Sequence, residues 1–175
     1  MDQTARFFEA IKAGDVAAVN ALLDAHPPLL SARPAEAPSP LLLALYFQQP
    51  GVRDALLARA PPRDVFEAAA VGALDALAGS AAGEWSADGF TALHLACFFG
   101  QPAAVAALLE QGADLNAVAR NGSQLRPLHS ALAHRGDEAA ERIVRALLAR
   151  GASVDVAQRG GVRPVHQAAA RGSRV

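Results

Sequence analysis

Asp88-Gly89-Phe90-Thr91-Ala92-Leu93-His94-Leu95-Ala96-Cys97-Phe98-Phe99-Gly100 recurs twice more along the chain in altered form. The second copy keeps Asn121-Gly122 and Arg126-Pro127-Leu128-His129-Ser130-Ala131 and closes at Gly136. The third keeps Gly160-Gly161-Val162-Arg163-Pro164-Val165-His166-Gln167-Ala168-Ala169, up to Gly172. The three histidines are 35 and 37 residues apart. Between copies come Leu108-Leu109 with Gly112-Ala113-Asp114-Leu115-Asn116-Ala117, then Leu147-Leu148 with Gly151-Ala152-Ser153-Val154-Asp155-Val156. A period in this range marks stacked repeats, because one such unit cannot bury its apolar face alone.

Local chemistry assigns an element to each part. Asp88-Gly89 supplies a turn that needs a positive φ. Thr91 suits the cap of the helix that follows, and Pro127 and Pro164 suit a first helical turn. Gly100, Gly136 and Gly172 fall where one helix must stop and another begin. Val105, Leu108 and Leu109 recur at helical spacing and give one apolar face.

These copies resemble the ankyrin repeat, with its Thr-Pro-Leu-His-x-Ala start, Leu-Leu second helix and Gly-Ala-x-x-Asn ending. The resemblance spans a whole repeat at 87–119, a repeat with insertions at 120–157 (around Ser123-Gln124 and at 137–141), and a partial one at 158–175. It implies an all-α solenoid of stacked antiparallel helix pairs with short β-hairpin or turn fingers. The N-terminal half reads as worn copies: a cap-like repeat at 5–33 and degenerate ones at 38–60 and 64–86. No finger fits between Leu57 and Asp64, and the helix after Gly72 is expected to be short. The whole is expected to form one array. Its last repeat shows no second helix, so either it is a piece of a longer array or its last apolar face meets a partner or a second copy.

Composition fits that architecture. Of 175 residues, 43 are Ala and 22 are Leu, while aromatics make up 5%, which favours helix over sheet. The single cysteine, Cys97, forbids an internal disulfide. The N-terminus lacks the basic start and apolar run of a signal peptide, and the charge-free run 89–109 is interrupted by Thr91, His94, Gln101 and Pro102. A cytoplasmic location with no membrane span is the expectation. Net charge is -1, yet residues 1–119 carry 6 basic and 13 acidic side chains, and residues 120–175 carry 10 and 4. Such asymmetry marks a partner surface or is drift among solvated charges.

Candidate chemistry yields to structural roles. His94, His129 and His166 hold the same slot of successive repeats, about 10 Å apart if helices pack normally, too far for one zinc. Each imidazole is expected to bond the turn of its own or the next repeat, while His26 and His134 are read as solvated. Cys97 reads as a small packing residue, although His94 lies three residues before it on one helix. Glu138 and its acidic neighbours suit a helix start. The segment 120–175 contains no Phe, Tyr or Trp on which a nucleic-acid strand could stack. No enzymatic activity, cofactor, metal or nucleic acid is therefore expected.

What the resemblance implies instead is protein binding on a concave face. Carried over residue by residue, that face takes Ala87, Asp88, Phe90, Phe98 and Phe99 from one repeat. The next gives Arg120, Asn121, Gln124, Leu125, His134 and Arg135. The last gives Arg159, Val162, Ala170 and Arg171. Aromatic and Arg side chains are enriched at binding hot spots, and the arginines suit an acidic partner. Phe98 and Phe99 either serve this surface or pack between repeats.

Overall fold

The computed structural model describes residues 2–33, 37–78, 83–170 and 172. The chain divides into two compact units, Met1–Arg63 and Asp64–Val175. Among the described residues both are helical, with no strand. No helix there is long and apolar enough to cross a membrane.

The first unit holds two helix pairs, α1 (Gln3–Ala13) with α2 (Val16–Ala25) and α3 (Pro40–Tyr46) with α4 (Pro50–Arg59). A 3-10 turn, Pro27–Ser31, follows α2. Helix α1 packs on α2 and α3, and α4 packs on α2 and α3. Phe7, Ile11, Val19, Leu23, Val52 and Leu56 are buried between them. Pro40 and Pro50 start their helices, where a missing N–H costs nothing.

The second unit continues with α5 (Val65–Val71), α6 (Leu74–Leu77), α7 (Ala92–Phe98), α8 (Pro102–Glu110), α9 (Pro127–Ala133), α10 (Asp137–Ala149) and α11 (Pro164–Ala170). The first helices form one layer, in which α7 packs on α5 and α9, and α9 on α11. The second helices form another, in which α8 packs on α6 and α10. Leu93, Cys97, Val105, Leu108, Leu128, Ile143 and Leu147 make the core between layers. Ala68, Ala69, Ala92, Ala96 and Ala131 are buried on the first helices. With no bulk beyond Cβ they let neighbouring helices approach closely, which is what this alanine-rich composition provides.

The worn copies deviate where the sequence does. After Gly72 the second helix has only four residues. The insertion at 137–141 becomes the start of α10, which at 13 residues exceeds the nine of α8. Asp137 and Glu138 lie in its first turn, where carboxylates favour the helix dipole. Gly136 caps that helix at an ordinary φ of -85°. The left-handed role of Gly100 therefore has no glycine counterpart in this repeat.

The fingers are turns rather than strands. Each is closed by one main-chain hydrogen bond across its base: Ser86 N to Phe90 O, Ala119 N to Leu125 O, and Gln158 N to Val162 O. Neighbouring fingers are joined by Arg120 N to Gly89 O and Arg159 N to Ser123 O, both 2.8 Å. So few bonds make a row of loops without a sheet ladder.

Candidate functional site

The repeated histidine slot holds the fingers on the helices. Thr91 caps α7 by accepting from His94 N, and the His94 ring returns a bond to the turn. Its Nδ1 accepts from Thr91 N at 3.3 Å and from the Thr91 hydroxyl at 2.8 Å. Its Nε2–H then donates to Leu125 O in the next finger at 3.1 Å. Burial pushes the His94 pKa down to about 4, against the opposing pull of the Leu125 and Ala117 carbonyls. His129 and His166 repeat the first half of this motif, accepting from Arg126 N and Arg163 N at 3.2 Å. Burial lowers the His129 pKa too; its Nε2 lies near the carbonyls of Val156 and Val162 but outside hydrogen-bonding geometry.

Cys97 is fully buried, and burial pushes its thiol pKa far up. With both nitrogens of His94 engaged in turns, this pair offers no thiolate and no free base. The structure gives both residues packing and capping work.

The candidate surface residues fall into two groups. Asp88, Phe90, Arg120, Asn121, Leu125 and Arg159 lie on the fingers, before the first helices. Phe98, Phe99, His134 and Arg135 lie at the opposite ends of α7 and α9. A seven-residue helix separates the groups by roughly 10 Å. Arg171 lies outside the described residues.

The finger group is tied together. Asn121 Nδ2 donates to Asp88 O at 2.8 Å, and the Ser86 hydroxyl bonds the Asp88 carboxylate. Gly89, at φ 80°, lets these fingers touch, since a Cβ there would come 2.7 Å from Asn121 N. The half-buried Phe90 ring packs on His94 at 5.7 Å. Arg120 stacks on Trp85, with its guanidinium carbon 3.5 Å from the ring centroid. Gln124 is exposed and held at φ 57°. Asn121, Ser123, Leu125, Gln158 and Arg159 line an open groove of about 590 Å³ between two fingers.

The helix-end group is also in contact. Phe98 and Phe99 meet edge to face at 5.1 Å; Phe98 is 36% exposed and Phe99 half-buried. His134, expected to be solvated, is instead half-buried, and its Nδ1–H donates to Phe98 O at 2.9 Å. Its ring fills the space above Gly100, where a Cβ would overlap it. Arg135 is exposed beside it.

Sequence reasoning missed Trp85 and Gln158. Trp85 opens the finger that Asp88 belongs to and is the chain's one tryptophan, a signal available by counting one period back from Val118. The amide oxygen of Gln158 is buried without a hydrogen-bond partner.

A family model described as ankyrin repeats, in three copies, matches residues 65–158. No curated protein matches the chain significantly. The matched span is more than half of the chain and contains the helix pairs α5–α10 with their fingers. The chain therefore belongs to the ankyrin repeat family.

Proposed function

We propose that this protein is a non-enzymatic scaffold that holds another protein on the face carrying the fingers and the ends of the first helices. Ankyrin repeats generally mediate protein–protein interaction. The observation that carries the reading is the exposure of Phe98 and Arg135 next to side chains already fixed in place. Phe98 is 36% exposed, its ring is met edge to face by Phe99, and its main-chain carbonyl is fixed by His134. An aromatic that is both accessible and pre-positioned loses little freedom on binding.

The test is capture from a lysate of the source cell with the protein and its Phe98→Ala/Phe99→Ala variant side by side. A partner retained by the first and lost by the second, with helical circular dichroism intact in both, supports the reading. A partner held equally by both removes the helix-end half of this face from the reading. A second reading docks α11 on further repeats, a partner domain or a second copy, and Val165 on that helix, 59% exposed, favours it. If the occupant is a second copy, Val165→Asp would abolish concentration-dependent association in sedimentation, and a monomer at all concentrations would end that form of the reading.

A further inference from the structure

We propose that the fingers at 118–125 and 157–163 form a two-arginine clamp for an acidic, extended segment of the partner protein. This rests on the scaffold reading above and adds the chemistry of what is held. Arg120 is stacked on Trp85, so its guanidinium plane is fixed before anything binds. Arg159, on the next finger, reaches over the tip of the finger that carries Arg120: its Nη1 lies 3.7 Å from where a Cβ of Gly122 would be. Among the described residues, neither arginine has a carboxylate within ion-pairing distance. The carboxylate of the adjoining finger, Asp88, is bound by Ser86.

These guanidinium groups on adjacent fingers, with no carboxylate paired to either among the described residues, are each open to bind a carboxylate in bidentate fashion. The groove of about 590 Å³ beside them is lined by amides and a hydroxyl: Asn121, Gln158 and Ser123. The surrounding segment, 120–175, carries 10 basic and 4 acidic side chains, so its field draws an acidic chain in. A nucleic-acid strand fits less well. The segment has no aromatic, and the nearby face of Trp85 is taken by Arg120.

The experiment uses the full chain at low ionic strength. Three labelled probes are a dodecapeptide of alternating Glu and Ala, the same peptide with Gln for Glu, and oligothymidylate. Anisotropy reads binding, and Trp85, the one tryptophan, reports directly on the finger by its fluorescence. The Glu peptide is expected to bind and shift Trp85 emission, and the Gln peptide to do neither. Arg120→Gln/Arg159→Gln should weaken the Glu peptide by about tenfold or more, with helical circular dichroism unchanged because both side chains are exposed. Arg145→Gln, on the exposed side of α10, should leave it unchanged. The clamp is overturned by any of four results: no binding of the Glu peptide, binding indifferent to the arginine pair, tighter binding of oligothymidylate, or dimerisation of the unliganded chain that the arginine variant abolishes. If the lysate partner is kept by the arginine variant but lost by the phenylalanine variant, the clamp fails while the scaffold reading stands. If both variants keep it, the face itself was misassigned.

Discussion

His94 shows how one residue ties a local rule to the stability of the array. The fold needs its imidazole neutral, because Nδ1 must accept from Thr91 while Nε2–H donates to Leu125 O. Burial lowers its pKa to about 4, from the 6.5 of an imidazole in an unfolded chain. As pH falls, the unfolded chain takes up the proton first. The stability contributed by the neutral ring is thus complete above 6.5 and is lost as pH drops from there towards 4. His129, lowered in the same direction by burial, adds to the slope. Urea midpoints should hold above neutrality and fall on acidification, with each histidine contributing at most about 1.4 kcal/mol per pH unit. Carboxylates titrate nearby, so the discriminating comparison is His94→Gln, which should flatten the fall. An unchanged slope in that variant would show that the ring is not held neutral.

At the scale of elements, the repeats are joined by a second device that lies at the turn between the two helices. Gln49 Nε2 donates to Lys12 O at 2.9 Å, Gln101 Nε2 to Ala70 O at 3.2 Å, and His134 Nδ1 to Phe98 O at 2.9 Å. Each accepting carbonyl lies two residues before a left-handed glycine, Gly14, Gly72 or Gly100, and each donor side chain fills the space over that glycine. Gly100→Ala therefore meets two obstacles, a positive φ worth about 1 kcal/mol and overlap with the His134 ring. The expected loss in chemical denaturation exceeds the conformational penalty alone and shrinks to about 1 kcal/mol in a His134→Ala background. Additive losses in that double-mutant cycle would rule the contact out as a source of strain. Gln48 stands where the fourth repeat has Gly100, at φ 55° and exposed. Gln48→Gly should accordingly raise stability by up to about 1 kcal/mol, read as a higher midpoint with an unchanged slope. Much of this level was legible in the sequence. Thr91, Pro102, Pro127 and Pro164 obey rules that act within one helical turn, and all start helices where those rules place them. The turn-to-turn contacts were not legible. Their donors differ in type, and their acceptors are main-chain carbonyls, which leave no mark in a sequence. The one visible trace was Gln-Pro at 49–50 and again at 101–102.

At the scale of the whole molecule, stacking of each first helix on the next, as α5, α7, α9 and α11 do in the second unit, makes stability there a sum of local terms that can differ along the chain. The candidate surface shares this logic. Asp88, Asn121 and Arg159 were legible because the period predicts fingers, whereas the Trp85–Arg120 stack was not, because it joins two fingers through side chains a repeat apart. The same unevenness makes α6 the weak point of the second unit. It has four residues, too few for a self-supporting helix. Leu74 is 45% exposed, and Leu77 is the one residue of the helix that is fully buried. Its neighbours do not depend on it: α5 is held by α7, and α8 by α7 and α10. Helix α6 can therefore open while both stay folded. In hydrogen exchange on the full chain, amides of 74–78 should exchange faster than those of α7, α8 and α9 by on the order of a hundredfold or more. Leu77→Ala should widen that gap while leaving protection in α9 unchanged. Equal protection from α5 through α10, falling together in the Leu77 variant, would mean instead that the unit opens as one body and that nearest-neighbour additivity fails here.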